Sequence, residues 1–464
     1  MRESSREYNV NGNGAKPSTT ELAEKEPENA RSRSRGRKPV PTHDELRDRW
    51  LKKCEERGKH TAHGQGEWRR YANGFWAPLH QQVVDAEIDV VLEEAKPQGV
   101  KPTAWLRGSV EQMAQAKAHV AEERWDSDPD VLVCTNGTLQ ISDMTLKQHS
   151  PEDYALSAVP FAYDPKAEAP TWRRFLDSTV PKAQRFLQEF AGYCLTPETL
   201  HELAVWLYGP PGTGKSTFIE GLKAMLGSRS GLLGLADIQR SQFALSKLPG
   251  KTLVVATEQP SDFVSCAHIL NAIISGEEIQ VEEKFKPSYA VIPHAKICWG
   301  MNELPRVKDA YNGLFRRVKV ISFPTLAIDP DPAVKEGIKA EGAGILNWAL
   351  EGLTRLNERG HFEIPESVRD ATEEFRLTND VPRMFVEEAC NSGEGLEIQA
   401  QELYDGYRHY CLLKGHKPQS ATSVASDWKR LGFGSRKLHG RKFYLGVDVD
   451  LGWIGSQDDY PRTR

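Results

Sequence analysis

Gly209, Pro210, Pro211, Gly212, Thr213, Gly214, Lys215, Ser216 and Thr217 have the types and spacing of a phosphate-binding loop. Glycines let backbone N–H groups turn inward against an anion, and the N-terminus of a following helix adds a favourable dipole. Lys215 is placed to reach β- and γ-phosphates and Ser216 to offer a hydroxyl oxygen to Mg²⁺. The apolar run Leu203–Tyr208 predicts a strand before the loop and Phe218–Leu226 a helix after it, the context this chemistry requires. ATP and Mg²⁺ are the expected cofactors.

Hydrolysis needs further groups. The run Thr252–Thr257 predicts the next strand and ends in Glu258, a carboxylate able to orient a water and share the metal shell. Asp237 is the second-ranked candidate, because the run before it is short and contains Gly. A third strand, Ala295–Met301, ends in Asn302, whose amide could sense the γ-phosphate or simply open a turn before Pro305. Arg316 and Arg317 enter a last apolar run. A guanidinium there could stabilise transition-state charge in a neighbouring subunit, or form a surface ion pair.

These residues must be positioned by elements, and the rest of the chain is patterned to supply them. The length of 464 residues allows roughly two to four domains at about 100–200 residues each. No run of about 18 apolar residues occurs, which excludes a helical membrane span, and the polar start (Met1–Tyr8) points away from secretion. With a net charge of −5, nucleic-acid contact must come from local basic features. The seven cysteines are scattered, without zinc or disulfide spacing, so they read as small buried hydrophobes of a cytoplasmic protein.

Residues 1–42 are polar and read as a disordered tail with a basic run, Arg31–Lys38, that could hold phosphates or remain a solvated arm. Residues 43–164 read as an α+β domain. It has hairpin turns at Asn73-Gly74 and Asn136-Gly137 and helices over 82–96 and 109–124. A helical collar is expected over 165–200, a parallel α/β ATPase core over 201–325, and a helical lid over 326–378. Residues 379–464 read as helices followed by a basic hairpin, a winged-helix pattern. There Arg436, Lys437, Arg441 and Lys442 are candidates for gripping duplex DNA, with contact to a replication protein as the alternative.

The order from loop to arginine pair closely resembles the superfamily 3 helicases of viruses, phages and plasmids. It is nearest to the phage and plasmid helicase-primase family that has satellite-phage and poxvirus members. Trp125–Asp177 resembles the domain preceding the helicase in that family, and Leu403–Tyr410 with the Gly440 hairpin resembles its winged helix. The resemblance implies an AAA+-like P-loop core and a homohexameric ring moving 3′-to-5′ in the cytosol of a bacterium or infected host. It also implies single-stranded and forked DNA as partners. It assigns channel contact to the hairpin of Lys284, Phe285 and Lys286, although the residues alone read as a charged turn. This sequence departs from the many family members that carry two adjacent carboxylates, since Thr257 and Gln259 flank Glu258.

Asp85, Glu87 and Asp89 are the best primase carboxylates available, but they sit in a helical pattern and read as a solvated face. The expected activity is therefore ATP-dependent DNA unwinding in phage, plasmid or viral replication, without a working primase. The rival is a DNA-binding initiator or remodelling ATPase that does not unwind. A metabolic P-loop kinase is disfavoured, having no need of an arginine pair or an appended winged helix.

Overall fold

The structure, a computed structural model, describes residues 39–259, 264–284, 288–307, 313–324 and 332–450. The basic run Arg31–Lys38 and the hairpin residues Phe285 and Lys286 lie outside the described residues.

Helix α1 (His43–Glu56) starts where the Thr42 N–H donates to Glu45 at 3.1 Å, and it buries Leu46, Trp50 and Cys54 as one stripe. Strands β1 (Thr61–Gly64), β2 (Glu67–Ala72) and β3 (Phe75–Pro78) form an antiparallel sheet. Its second turn is made by Asn73 and Gly74 at φ 53° and 87°, the left-handed pair that a two-residue hairpin demands. Helices α2 (Gln81–Glu94) and α3 (Ala104–Lys117) close a core with α1. The helix expected over 109–124 lies earlier. The Thr103 hydroxyl accepts from Leu106 N at 3.1 Å and starts α3, while beyond Lys117 the chain is drawn into a β-bridge between His119 and His63. A second antiparallel sheet follows, of β4 (Val131–Cys134), β5 (Gly137–Gln140) and β6 (Thr145–Lys147), turning at the expected Asn136-Gly137.

The central layer is built from α4 (Pro170–Thr179), α5 (Gln184–Tyr193), β7 (Ala204–Tyr208), α6 (Lys215–Leu226), β8 (Ser230–Leu232), α7 (Leu235–Arg240), β9 (Leu253–Ala256), α8 (Ala267–Ser275), β10 (Ile279–Val281), β11 (Tyr289–Val291), β12 (Lys296–Met301), α9 (Gly313–Arg317), β13 (Val318–Ser322), α10 (Pro332–Ala340), α11 (Gly342–Arg359) and α12 (Glu366–Asn379). Five of these strands form one parallel sheet in the order β13-β7-β12-β9-β8. Side chains alternate across it. Val205, Leu207, Val255 and Cys298 pack under α4, α5, α6 and α11, while Trp206, Val254 and Trp299 face α8, α9 and α12. Trp206 and Trp299 stack at 6.2 Å between neighbouring strands, which adds about 0.5–1.5 kcal/mol to their burial.

The last region runs α13 (Val381–Ala389), β14 (Cys390–Gln399), α14 (Ala400–Leu413), α15 (Ala421–Arg430), β15 (Gly434–Leu438) and β16 (Arg441–Val449). Its strands pair antiparallel in the order β14-β16-β15 over a core that includes Phe385, Tyr407, Tyr410 and Trp428. Strand β14 was not expected: Gly393, Gly395 and a register shift between Ser392 and Glu397 hide its alternation. All the cysteines are free, and all but Cys390 are buried. Among the described residues no helix is long and apolar enough to cross a membrane.

Candidate functional site

The loop joining β7 to α6 is bent by glycine. Gly209, Gly212 and Gly214 have φ 153°, 81° and 95°, values that L side chains rarely adopt. A Cβ on Gly209 would run into the Phe323 carbonyl oxygen, and one on Gly214 would lie 2.8 Å from the Phe175 ring. The Thr213 hydroxyl donates to Pro210 O at 2.9 Å and ties the loop across itself. Helix α6 begins at Lys215 with no side-chain cap and no acidic residue in its first turn. Its first amides are thus left to an external anion.

Lys215 is buried, and its ammonium donates to Gly209 O at 2.6 Å and Pro210 O at 2.7 Å. Burial lowers its pKa, and the charge of Glu258 opposes that shift, which puts carboxylate and ammonium within each other's field. Pro210, Pro211, Gly212 and Ser216 are exposed at the loop surface, and Thr217 is half-buried behind them.

Sheet register brings the other candidates to the same end. Met301 pairs with Tyr208, and Gly209 N donates to Met301 O at 3.3 Å, so Asn302 follows directly beside the start of the loop. On the other side of β12, Trp299 pairs with Ala256, which carries Glu258 to that end as well. Both Glu258 and Asn302 are exposed. Gln259 does not join them, because its Oε1 accepts from Leu235 N at 2.8 Å. Asp237, the second-ranked carboxylate, lies in α7 rather than at a strand end. It accepts from Gly234 N at 3.0 Å and pairs with Lys247 at 3.7 Å, which accounts for it as a cap.

Ser216 and Glu258 are hard oxygen donors of the kind Mg²⁺ takes. Among the described residues no group of three His, Cys, Asp or Glu could hold a metal by itself. That donor set suits an ion that shares its shell with phosphate oxygens, as Mg²⁺ commonly does.

The arginine pair stands apart. Arg316 and Arg317 close α9 at the start of β13, so the length of a strand separates them from the loop. Arg317 pairs with Glu202 at 2.8 Å and donates to Gly313 O at 3.3 Å, whereas Arg316 is exposed.

Strands β10 and β11 form the expected hairpin, with Val281 opposite Tyr289. Lys284 is exposed near its tip with Nζ 6.0 Å from the Phe243 ring centre. Tyr289 donates to Glu283 at 2.8 Å and packs on Gly66 of the β1–β2 turn, so the hairpin base leans on the N-terminal region. In the C-terminal hairpin Arg436 is ion-paired with Glu397, and Lys442 donates to Tyr444 Oη at 2.9 Å. Lys437 and Arg441 are exposed on either side of the His439-Gly440 turn.

The helical carboxylates are occupied by cations. Glu87 accepts from Arg70 at 2.7 and 3.0 Å and from Lys59 at 3.1 Å, while Asp85 and Asp89 face Arg107 at 4.0 and 2.8 Å. Arg69, Arg229 and Lys296 are buried cations that the sequence does not single out. Lys296 donates to Thr196 O at 2.5 Å and His294 O at 3.2 Å beneath Tyr193, and burial lowers its pKa to about 7. A lysine opening an otherwise apolar run was the available signal.

Residues 42–181 match the family described as D5 N terminal like, and residues 207–317 match a family of unknown function, DUF5906. The chain is similar to structures of the C-terminal region of NrS-1. One is 13% identical, covering 86% of this chain and 98% of that one at a TM-score of 0.49. A second is 12% identical, covering 86% and 99% at a TM-score of 0.47. The match over 42–181 makes that segment similar to the D5 N-terminal-like domain.

Proposed function

We propose that this chain is a ring-forming, ATP-driven DNA helicase of the superfamily 3 type that acts in phage, plasmid or viral replication. One observation carries the reading. The parallel sheet gathers the glycine loop, Glu258 and Asn302 at one end, while Arg316 lies exposed at the start of β13, away from them. A site divided in that way is completed by a neighbouring subunit, whose Arg316 would offset charge on the transferring phosphoryl group.

In this reading the loop amides and Lys215 hold the triphosphate. Glu258 takes up a proton from, or orients, the attacking water, and Asn302 fixes that water against the γ-phosphate. Ser216, with Glu258 nearby, would hold Mg²⁺, which when bound would supply charge neutralisation for the phosphates. The β10–β11 hairpin, with Lys284, then moves along one strand. The helix and strand order α13-β14-α14-α15-β15-β16 fits a winged helix, with α15 and the exposed Lys437 and Arg441 turned to duplex DNA.

The test is unwinding of a forked duplex by the full chain with ATP, beside Lys215→Ala. Strand displacement lost in the variant supports a motor. If ATP alters DNA affinity yet no strand is displaced, the initiator or remodelling reading replaces it.

A further inference from the structure

Helices α4, α5 and α11 line an open cavity of about 380 Å³ that shares no residue with the glycine loop. Its wall carries three guanidiniums, Arg173, Arg185 and Arg355, against the single carboxylate of Glu351. The cavity is built rather than incidental. Gln188, nine-tenths buried, donates to Trp348 O at 2.7 Å and to Glu351 at 3.0 Å, and accepts from Arg355 at 2.6 Å. The buried carboxylate behind it, Glu189, pairs with Arg359 at 2.5 Å and with Arg355 Nε at 3.7 Å, which leaves Arg173 and Arg185 as the wall cations not compensated from below.

Two of the guanidiniums keep donors to spare: Arg173 reaches Glu351 only at 3.5 Å and Arg185 is exposed at the rim, whereas Arg355 is held by Gln188, Glu351 O and Glu189. Helix α5 opens on the same cavity through Gln184 and Arg185. Its N-cap, Ala183, provides no side-chain bond, and its first turn holds no acid. Unpaired amides and the positive end of a helix therefore add to the arginine charge. Forked donors from separate directions suit a ligand with several acceptor oxygens and at least one negative charge. The polar wall offers little to an apolar one.

We infer that this cavity is a second anion site, which takes a phosphate group by contact with Arg173 and Arg185, while Arg355 holds the wall behind them. The phosphate belongs either to the backbone of a bound nucleic-acid strand or to a free nucleotide or pyrophosphate. The site does not depend on ATP hydrolysis.

The experiment compares the full chain with Arg173→Glu/Arg185→Glu, with the milder Arg185→Gln, and with Lys101→Glu, an exposed charge reversal elsewhere. The first arm measures affinity for a fluorescent oligothymidine at several salt concentrations. A strand in the cavity predicts about tenfold weaker binding in the double variant and a salt dependence lowered by about one phosphate contact, with Lys101→Glu unchanged. The second arm measures pyrophosphate binding in a Lys215→Ala background, where the glycine loop is crippled. A free phosphate ligand predicts residual binding that the cavity variants abolish. Arg185→Gln, which only neutralises a rim charge, repeats each arm should the double variant unfold. If the cavity variants bind both probes as Lys101→Glu does, the arginines only join α5 to α11 and the inference is overturned.

Discussion

Arg317 is tied to Glu202 of its own chain at 2.8 Å, while Arg316, next to it in α9, is turned to the surface. The two arginines are thereby given different work. Arg316→Ala is expected to lower ATP turnover about 10³-fold with an unchanged melting temperature, the scale seen for arginines supplied in trans. Arg317→Ala is expected to lower the melting temperature first. Mixing Arg316→Ala with Lys215→Ala subunits should restore part of the turnover, because some shared sites then hold both intact residues. Mixtures no more active than either variant alone would refute sharing.

Glu258→Gln should keep nucleotide affinity and lose turnover by about 10²–10⁴-fold, the usual worth of a positioned proton acceptor. Isothermal titration with ATP and a phosphate-release assay separate the two effects. Equal losses in both would assign Glu258 to binding alone.

Gly209→Ala places a methyl against the Phe323 carbonyl at φ 153°, where the backbone has no room to yield. We expect about 1–3 kcal/mol lower stability by urea titration and markedly weaker nucleotide binding. Wild-type values for both would show that the loop is more plastic than its packing implies.

Glu87 supplies an acid-sensitive hold in the N-terminal region. Burial pushes its carboxyl up, but hydrogen bonds from Arg70 and Lys59 outweigh burial and bring its pKa from 4.5 down to about 2. Because the folded value lies below the unfolded one, the unfolded chain binds more protons in that interval. The contribution is therefore complete above about pH 4.5 and disappears as the pH falls toward 2. Glu87→Gln should cost about 1–2 kcal/mol at neutral pH and flatten the decline of stability over that range in urea titrations. An unaltered acid limb would assign the decline to other carboxylates.

Local chemistry explains what was legible beforehand. The Asn73-Gly74 turn, the loop from Gly209 to Thr217 and the strands ending near Glu258 and Asn302 each announce themselves within about ten residues, because turn residues and continuous apolar runs have few other uses. Position in space was not legible. That Gln259 is committed to α7, that Arg317 meets Glu202, and that Arg173, Arg185 and Arg355 converge are all consequences of contacts between distant segments. Strand β14 was missed because its glycines and register shift erase the alternation by which strands are read. The start of α3 moved because the hydroxyl of Thr103 outweighed the apolar spacing further along.

Strand β12 lies hydrogen-bonded between β7 and β9, which makes it a spacer of fixed width. Two interstrand steps of about 4.8 Å set the glycine turn and the Glu258 carboxyl roughly 10 Å apart in the plane of the sheet. Under the proposed ATPase reading, the ladder of amides through β12 gauges the space between phosphate loop and carboxylate, and a bulge or slip there would detune hydrolysis without altering any residue assigned to the nucleotide.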